Sequence, residues 1–152
     1  MERTSWGSTI FCDDIRQEVA GKYSLMGIYE NEMLFQTEPP WVLQKMCLLI
    51  KYTETHGGFD EDLRMTVTLP GDQKDKPSLV SMIARKDVKI EPRVNIPEDV
   101  DSLIGFAVPF LFSQLTVNTE GFIKVRIERG KIETRIGALH LRKVRPDEKT
   151  PF

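Results

Sequence analysis

The sequence predicts an all-β protein, a two-sheet antiparallel β-sandwich of about seven to nine strands, with a half-open β-barrel as the alternative. Three observations lead there. Short stretches rich in β-branched and aromatic residues recur along the chain, separated by Gly, Pro, Asn and Asp. Several stretches alternate apolar and polar residues with the period of a strand. No long amphipathic helical pattern, heptad or internal repeat competes with them.

In chain order, the first strand is expected at residues 8–12. A polar loop over 13–21 follows, with room for one helical turn at 14–19. The second strand, 22–29, carries apolar groups on both faces and reads as central. Residues 31–35 form a short edge piece, and Thr37-Glu38-Pro39-Pro40 breaks regular structure. The next strand spans 45–53; its middle, Met46-Cys47-Leu48-Leu49-Ile50, is continuously apolar, as in a strand covered on both faces. His56-Gly57-Gly58 makes a turn before the acidic run Asp60-Glu61-Asp62.

Residues 63–69 alternate cleanly, with Leu63, Met65, Val67 and Leu69 inward and Arg64, Thr66 and Thr68 outward. Pro70-Gly71-Asp72 ends that strand, and 78–84 reads as another. A connection over 85–102 holds two prolines and one candidate strand near 88–90. The segment 104–117 places Phe106, Val108, Phe110 and Phe112 on one face; Pro109 puts this strand at an edge or kinks it.

A hairpin closes the chain, with 122–128 and 131–144 flanking Arg129-Gly130. A two-residue loop there pairs Glu128 with Lys131, Ile127 with Ile132, Arg126 with Glu133 and Ile123 with Ile136. Each of those pairs matches chemically. Lys124 against Arg135 does not. The apolar positions then change parity between Ile136 and Leu139, with Gly137 at the switch, which predicts a β-bulge. Two prolines and four charges make 145–152 a frayed tail.

At 152 residues the chain is expected to be one domain, 1–152, able to bury a core without a staple. With 21 basic and 23 acidic residues the net charge is −2, so no nucleic-acid partner is expected. No apolar run is long enough to span a membrane, and no secretory leader pattern opens the chain; a cytoplasmic location is the expectation. Cys12 and Cys47, each in a predicted strand, read as buried free thiols.

The residues able to carry chemistry concentrate after the first strand: Asp13, Asp14, Arg16, Glu18 and Lys22. Adjacent carboxylates at a strand end can hold a cation or share a proton. They also form Asx turns and helix caps, with Arg16 or Lys22 as counter-charge, and that structural reading is preferred. Asp60 and Asp62 could join Asp13 and Asp14 in a two-loop calcium site. His56 and His140 lack ligand spacing for zinc, and no phosphate loop, dinucleotide fingerprint or serine elbow is present. No cofactor is expected. Phe106, Phe110, Phe112 and Phe122 read as core. Lys124, Arg126, Arg129, Lys131 and Arg135 read as a mixed-charge solvated face with Glu128 and Glu133.

The pattern Phe11-Cys12-Asp13-Asp14-Ile15-Arg16, Glu18, Gly21-Lys22, Ser24-Leu25 and Gly27-Ile28-Tyr29 resembles the N-terminal signature of a family of small bacterial proteins of unknown function. The resemblance implies a bacterial or phage source and nominates Asp13, Asp14, Arg16 and Lys22 as a shared polar set. It implies no activity. The function expected is that of a non-catalytic binding module for a protein partner or a second copy of the chain. A calcium-dependent binding module, and a hydrolase with Asp13 or Asp14 as general base, are the alternatives.

Overall fold

Among the described residues, the alternating apolar side chains of nine strands meet between two sheets. The computed structural model describes residues 5–55, 61–87 and 103–149. The strands are β1 (Ser5–Gln17), β2 (Tyr23–Tyr29), β3 (Glu32–Phe35), β4 (Trp41–Thr55), β5 (Leu63–Thr68), β6 (Leu79–Ile83), β7 (Leu103–Val117), β8 (Gly121–Arg129) and β9 (Ile132–Lys143). The first sheet has the order β2-β1-β4-β7 and the second β3-β9-β8-β5-β6. This is the sandwich that the alternation predicted, not a closed barrel. One neighbouring pair, β3 with β9, runs parallel.

Phe11, Met46, Leu48, Ile50 and Tyr52 of the first sheet face Met65, Val67, Ile123, Val125, Ile127, Leu139 and Leu141 of the second, all buried. Burying each such aliphatic side chain contributes about 1.5–3 kcal/mol. Phe106, Phe110 and Phe112 pack against this core as expected, and β7, which contains Pro109, is an edge strand. Phe122 is a correction: it is 46% exposed and stacks on His140 on the outer face, ring centroids 4.5 Å apart.

Several boundaries differ from expectation for identifiable reasons. β1 continues through Gln17, so Asp13, Asp14 and Arg16 lie on a strand and not in a loop. They remain polar because this end of the strand pairs with β2, which is an edge strand and not a central one. No helical turn forms at 14–19; one short 3₁₀ turn covers Val19–Gly21. Thr66 and Thr68 are buried on the outer side of β5, where Arg126 Nη1 reaches Thr68 Oγ1 at 3.5 Å. The expected turn at 56–58 and strand at 88–90 lie outside the described residues.

The closing hairpin is displaced by one residue. Its turn is Gly130-Lys131, with Gly130 at φ +57°, the left-handed conformation that primed hairpin turns need at their first central position. Glu128 therefore faces Glu133 and Arg126 faces Arg135. Charge matching proposed the wrong register because these like pairs are relieved diagonally and from other strands: Arg64 lies 2.8 Å from Glu128, and Arg126 lies 3.5 Å from Glu133. The parity switch is a true bulge. Ladder partners jump from Arg126–Arg135 to Val125–Gly137, leaving Ile136 as the extra residue.

The segment after β9, expected to fray, is fastened as far as Glu148. Val144 N–H donates to Phe35 at 2.9 Å, and Arg142 donates to Glu32 and Glu148 at 2.7–3.0 Å. Arg142, helped by the Arg145 backbone N–H, holds the Glu148 carboxyl at about 2 against an ordinary 4.5. A depressed carboxyl stabilises fully above its unfolded value and loses that contribution as pH falls through its folded value. Amide-exchange protection of Val144 and Arg145 is therefore expected to fade as pH drops from about 5 to about 2. In Arg142→Gln that protection is weak across the range. Equal protection in the variant at pH about 5 contradicts the tether.

Candidate functional site

The candidate site lies on the outer face of the first sheet, where β1 leaves β4. Odd-numbered residues of β1 from Gly7 to Phe11 point between the sheets and even-numbered ones point outward. Cys12 stands directly opposite Cys47, Ile28 opposite Cys12, and Leu111 opposite Cys47. One lateral row thus crosses all four strands: Ile28, Cys12, Cys47, Leu111. The thiols are buried, and their aliphatic neighbours are 57% and 62% exposed.

The β1–β4 ladder stops at the Cys12–Cys47 pair. Beyond it a groove of about 320 Å³ opens, lined by Asp14, Gln17, Tyr23, Lys45, Cys47 and Leu111 among others. Lys45 Nζ donates to Asp14 Oδ1. Arg16 Nε stands 3.9 Å from the other oxygen, and the Ile15 N–H donates to Oδ1 at 3.0 Å. These contacts, the Lys45 hydrogen bond first, hold the Asp14 carboxyl below its usual range, and Asp14 in return raises Lys45. A general base working near neutrality needs the opposite shift.

Asp13 and Asp14 do not act as a pair. Successive residues of a strand point to opposite faces, which separates their carboxylates. Asp13 Oδ1 accepts from the Tyr29 hydroxyl at 2.6 Å, and its side chain fills the space above Gly27. Burial and this bond push the Tyr29 hydroxyl up to about 12. Glu18 and Lys22 close the β1–β2 turn through their backbones, the Glu18 N–H donating to the Lys22 carbonyl at 2.7 Å. Their side chains stay exposed. The set Asp13, Asp14, Arg16, Glu18 and Lys22 is thus split, and only Asp14 and Arg16 are brought together.

Of the proposed calcium ligands, Asp60 lies outside the described residues. Asp62 accepts the Arg85 backbone N–H at 2.9 Å. Among the described residues, no three His, Cys, Asp or Glu side chains converge as a metal would require. Burial, and then Cys47, push the Cys12 thiol up to about 11, so it stays protonated at neutral pH and is a poor nucleophile. The thiols donate to backbone carbonyls, Cys12 to Asp14 and Cys47 to Asp13.

No family model, curated protein or solved structure matches this chain.

Sequence reasoning missed two features. Lys45 is the principal counter-charge of Asp14, 31 residues away, and only the strand pairing reveals it. Glu54 and Arg129 form an ion pair buried between the sheets, Nε to Oε1 2.7 Å, with the Tyr52 hydroxyl donating to the same oxygen at 2.5 Å. A signal for the second did exist. Glu54 continues the inward series Met46, Leu48, Ile50, Tyr52, and Arg129 continues Ile123, Val125, Ile127. Parity alone places both inside.

Proposed function

We propose that this protein is a non-catalytic β-sandwich interaction module that docks another polypeptide on the outer face of its first sheet. The observation that carries this reading is the exposed apolar row ending in Ile28 and Leu111. Met26, 40% exposed and two residues before Ile28 on the same face of β2, extends it, and Trp6, 46% exposed, lies further along that face on β1. Contiguous exposed apolar surface on a folded domain marks interaction surface. The mutually neutralised Asp14–Lys45 pair borders the row and offers hydrogen bonds at its rim, as interface rims do. Edge strands β2 and β7 frame the face and present backbone groups to a partner.

A net charge of −2 and balanced basic residues favour a protein over a nucleic acid as partner. No helix among the described residues is long and apolar enough to cross a membrane. A cytoplasmic protein of bacterial or phage origin fits the sequence pattern. A second copy of the chain is the first partner to test.

Leu111→Asp and Ile28→Asp put a charge in the middle of this surface at exposed positions that the core does not use. Sedimentation of the purified chain, alone and with a candidate partner from the source cell, reads the result. Wild type associates, and each variant weakens association by about tenfold or more with its melting temperature unchanged. Association that Leu111→Asp leaves intact, or none in wild type, overturns the reading.

A further inference from the structure

The outer face of the second sheet carries an electrostatic imbalance. The two-residue turn at Gly130-Lys131 sets Arg126 and Arg135 directly opposite each other on β8 and β9, next to the bulge at Ile136. Like charges so placed repel, and a strand pair keeps them only if something offsets the repulsion. Beside them is a recess of about 310 Å³ lined by Lys124, Val125, Arg126, Arg135, Gly137 and Ala138. Three of those six residues are cationic and none is acidic.

The available counter-charge is thin. Glu133 is shared among Lys74 at 3.3 Å, Arg126 at 3.5 Å and Arg135 at 3.7 Å. The nearby acids are committed elsewhere. Asp72 accepts from the Leu69 and Ser78 backbones and the Ser78 hydroxyl, Glu120 from the Lys143 backbone, and Glu128 pairs with Arg64. Arg126 is only 9% exposed, and its Nε–H has no hydrogen-bond acceptor. A buried guanidinium with an orphaned donor is costly, and such a group calls for an anion.

We propose that this recess is a binding site for the phosphate group of a small molecule, gripped by Arg126 and Arg135 with Lys124 at its rim. Two opposed guanidiniums present planar donor forks to a tetrahedral oxyanion, and each charge-assisted bond is roughly twice as strong as a neutral one. The recess is at the small end of ligand pockets, which suits a phosphate carrying a compact group. The hairpin turn supplies the facing pair, and the bulge interrupts the ladder immediately beyond it, between Arg126–Arg135 and Val125–Gly137.

The test is titration of the full chain with inorganic phosphate at constant ionic strength, read by calorimetry and by melting temperature. Phosphoserine and ribose 5-phosphate form two further arms, and acetate a control. Saturable phosphate binding is expected, with a rise in melting temperature that acetate does not reproduce. Arg135 and Lys124 are exposed, so Arg135→Gln and Lys124→Gln should fold; each weakens phosphate binding by about tenfold. Tighter binding of either organic phosphate identifies which group accompanies the phosphate. No saturable binding at about 10 mM phosphate, or equal binding by Arg135→Gln, overturns the proposal. So does acetate binding as tightly as phosphate.

Discussion

Arg129→Ala is expected to destabilise the protein by about 3–5 kcal/mol. Arg129 and Glu54 are 6% and 3% exposed and meet at one end of the core. Removing the cation leaves the Glu54 carboxylate out of water with the Tyr52 hydroxyl as its donor, 2.5 Å away. An uncompensated charge in that setting loses its solvation and gains little in return. The pair itself is not optimal. Arg129 Nε comes within 2.7 Å of the carboxylate, yet its N–H is not directed at an acceptor. The double variant Glu54→Leu with Arg129→Met is therefore expected to recover most of the loss, and to equal or exceed wild type. Urea unfolding of the four proteins checks this. For a chain of this length the single variant should melt roughly 10 °C or more below wild type. An Arg129→Ala protein within about 1 kcal/mol of wild type contradicts the buried-pair account, as does a double variant no better than the single one.

That pair also shows where the sequence was readable and where it was not. The inward parity of β4 and β8 was visible, and it carries Glu54 and Arg129 inside as surely as the leucines before them. The expected strands stop at 53 and 128, one residue short of each, which leaves Glu54 outside its strand and Arg129 in the hairpin turn. The hairpin illustrates a different limit. Matching Glu128 with Lys131 and Arg126 with Glu133 treats the two strands as isolated. The real register is fixed by which residues of β8 and β9 fill the core, and Arg64 on β5 neutralises Glu128 from the third strand. Such relief is invisible until the sheet order is known. The polar set near Asp13 was legible as residues but not as geometry. Extending β1 by five residues past Cys12 sends Asp13 and Asp14 to opposite faces, so a cluster in sequence is not a cluster in space. Lys45 and Leu111, which complete the groove, arrive through β4 and β7.

The bulge at Ile136 was legible, and it makes a second strong prediction. In a regular strand Ile136 and Gly137 would face opposite ways; across the bulge both turn toward β1. Ile136 meets Gly7, where an added Cβ would lie 2.7 Å from Ile136 Cγ2. Gly137 meets Thr9, where an added Cβ would lie 2.7 Å from Thr9 Cβ and 2.8 Å from its hydroxyl oxygen. Gly137 does not take a positive φ, so its need is for space and not for backbone freedom. Each glycine accommodates the bulk of the other strand, and the two sheets close at this corner because of it. Gly137→Ala is expected to cost about 1–3 kcal/mol by overpacking, seen as a lower urea midpoint with an unchanged slope. Thr9→Gly removes the obstructing atoms. It should itself cost about 0.5–1 kcal/mol for a glycine within a strand. Combined with Gly137→Ala it should return part of the loss, a coupling of about 0.5–3 kcal/mol between residues far apart in sequence. Strictly additive losses would mean that the sheets separate to admit the methyl group. The bulge would then be a local irregularity of β9, and not the feature that sets the distance between β1 and β9.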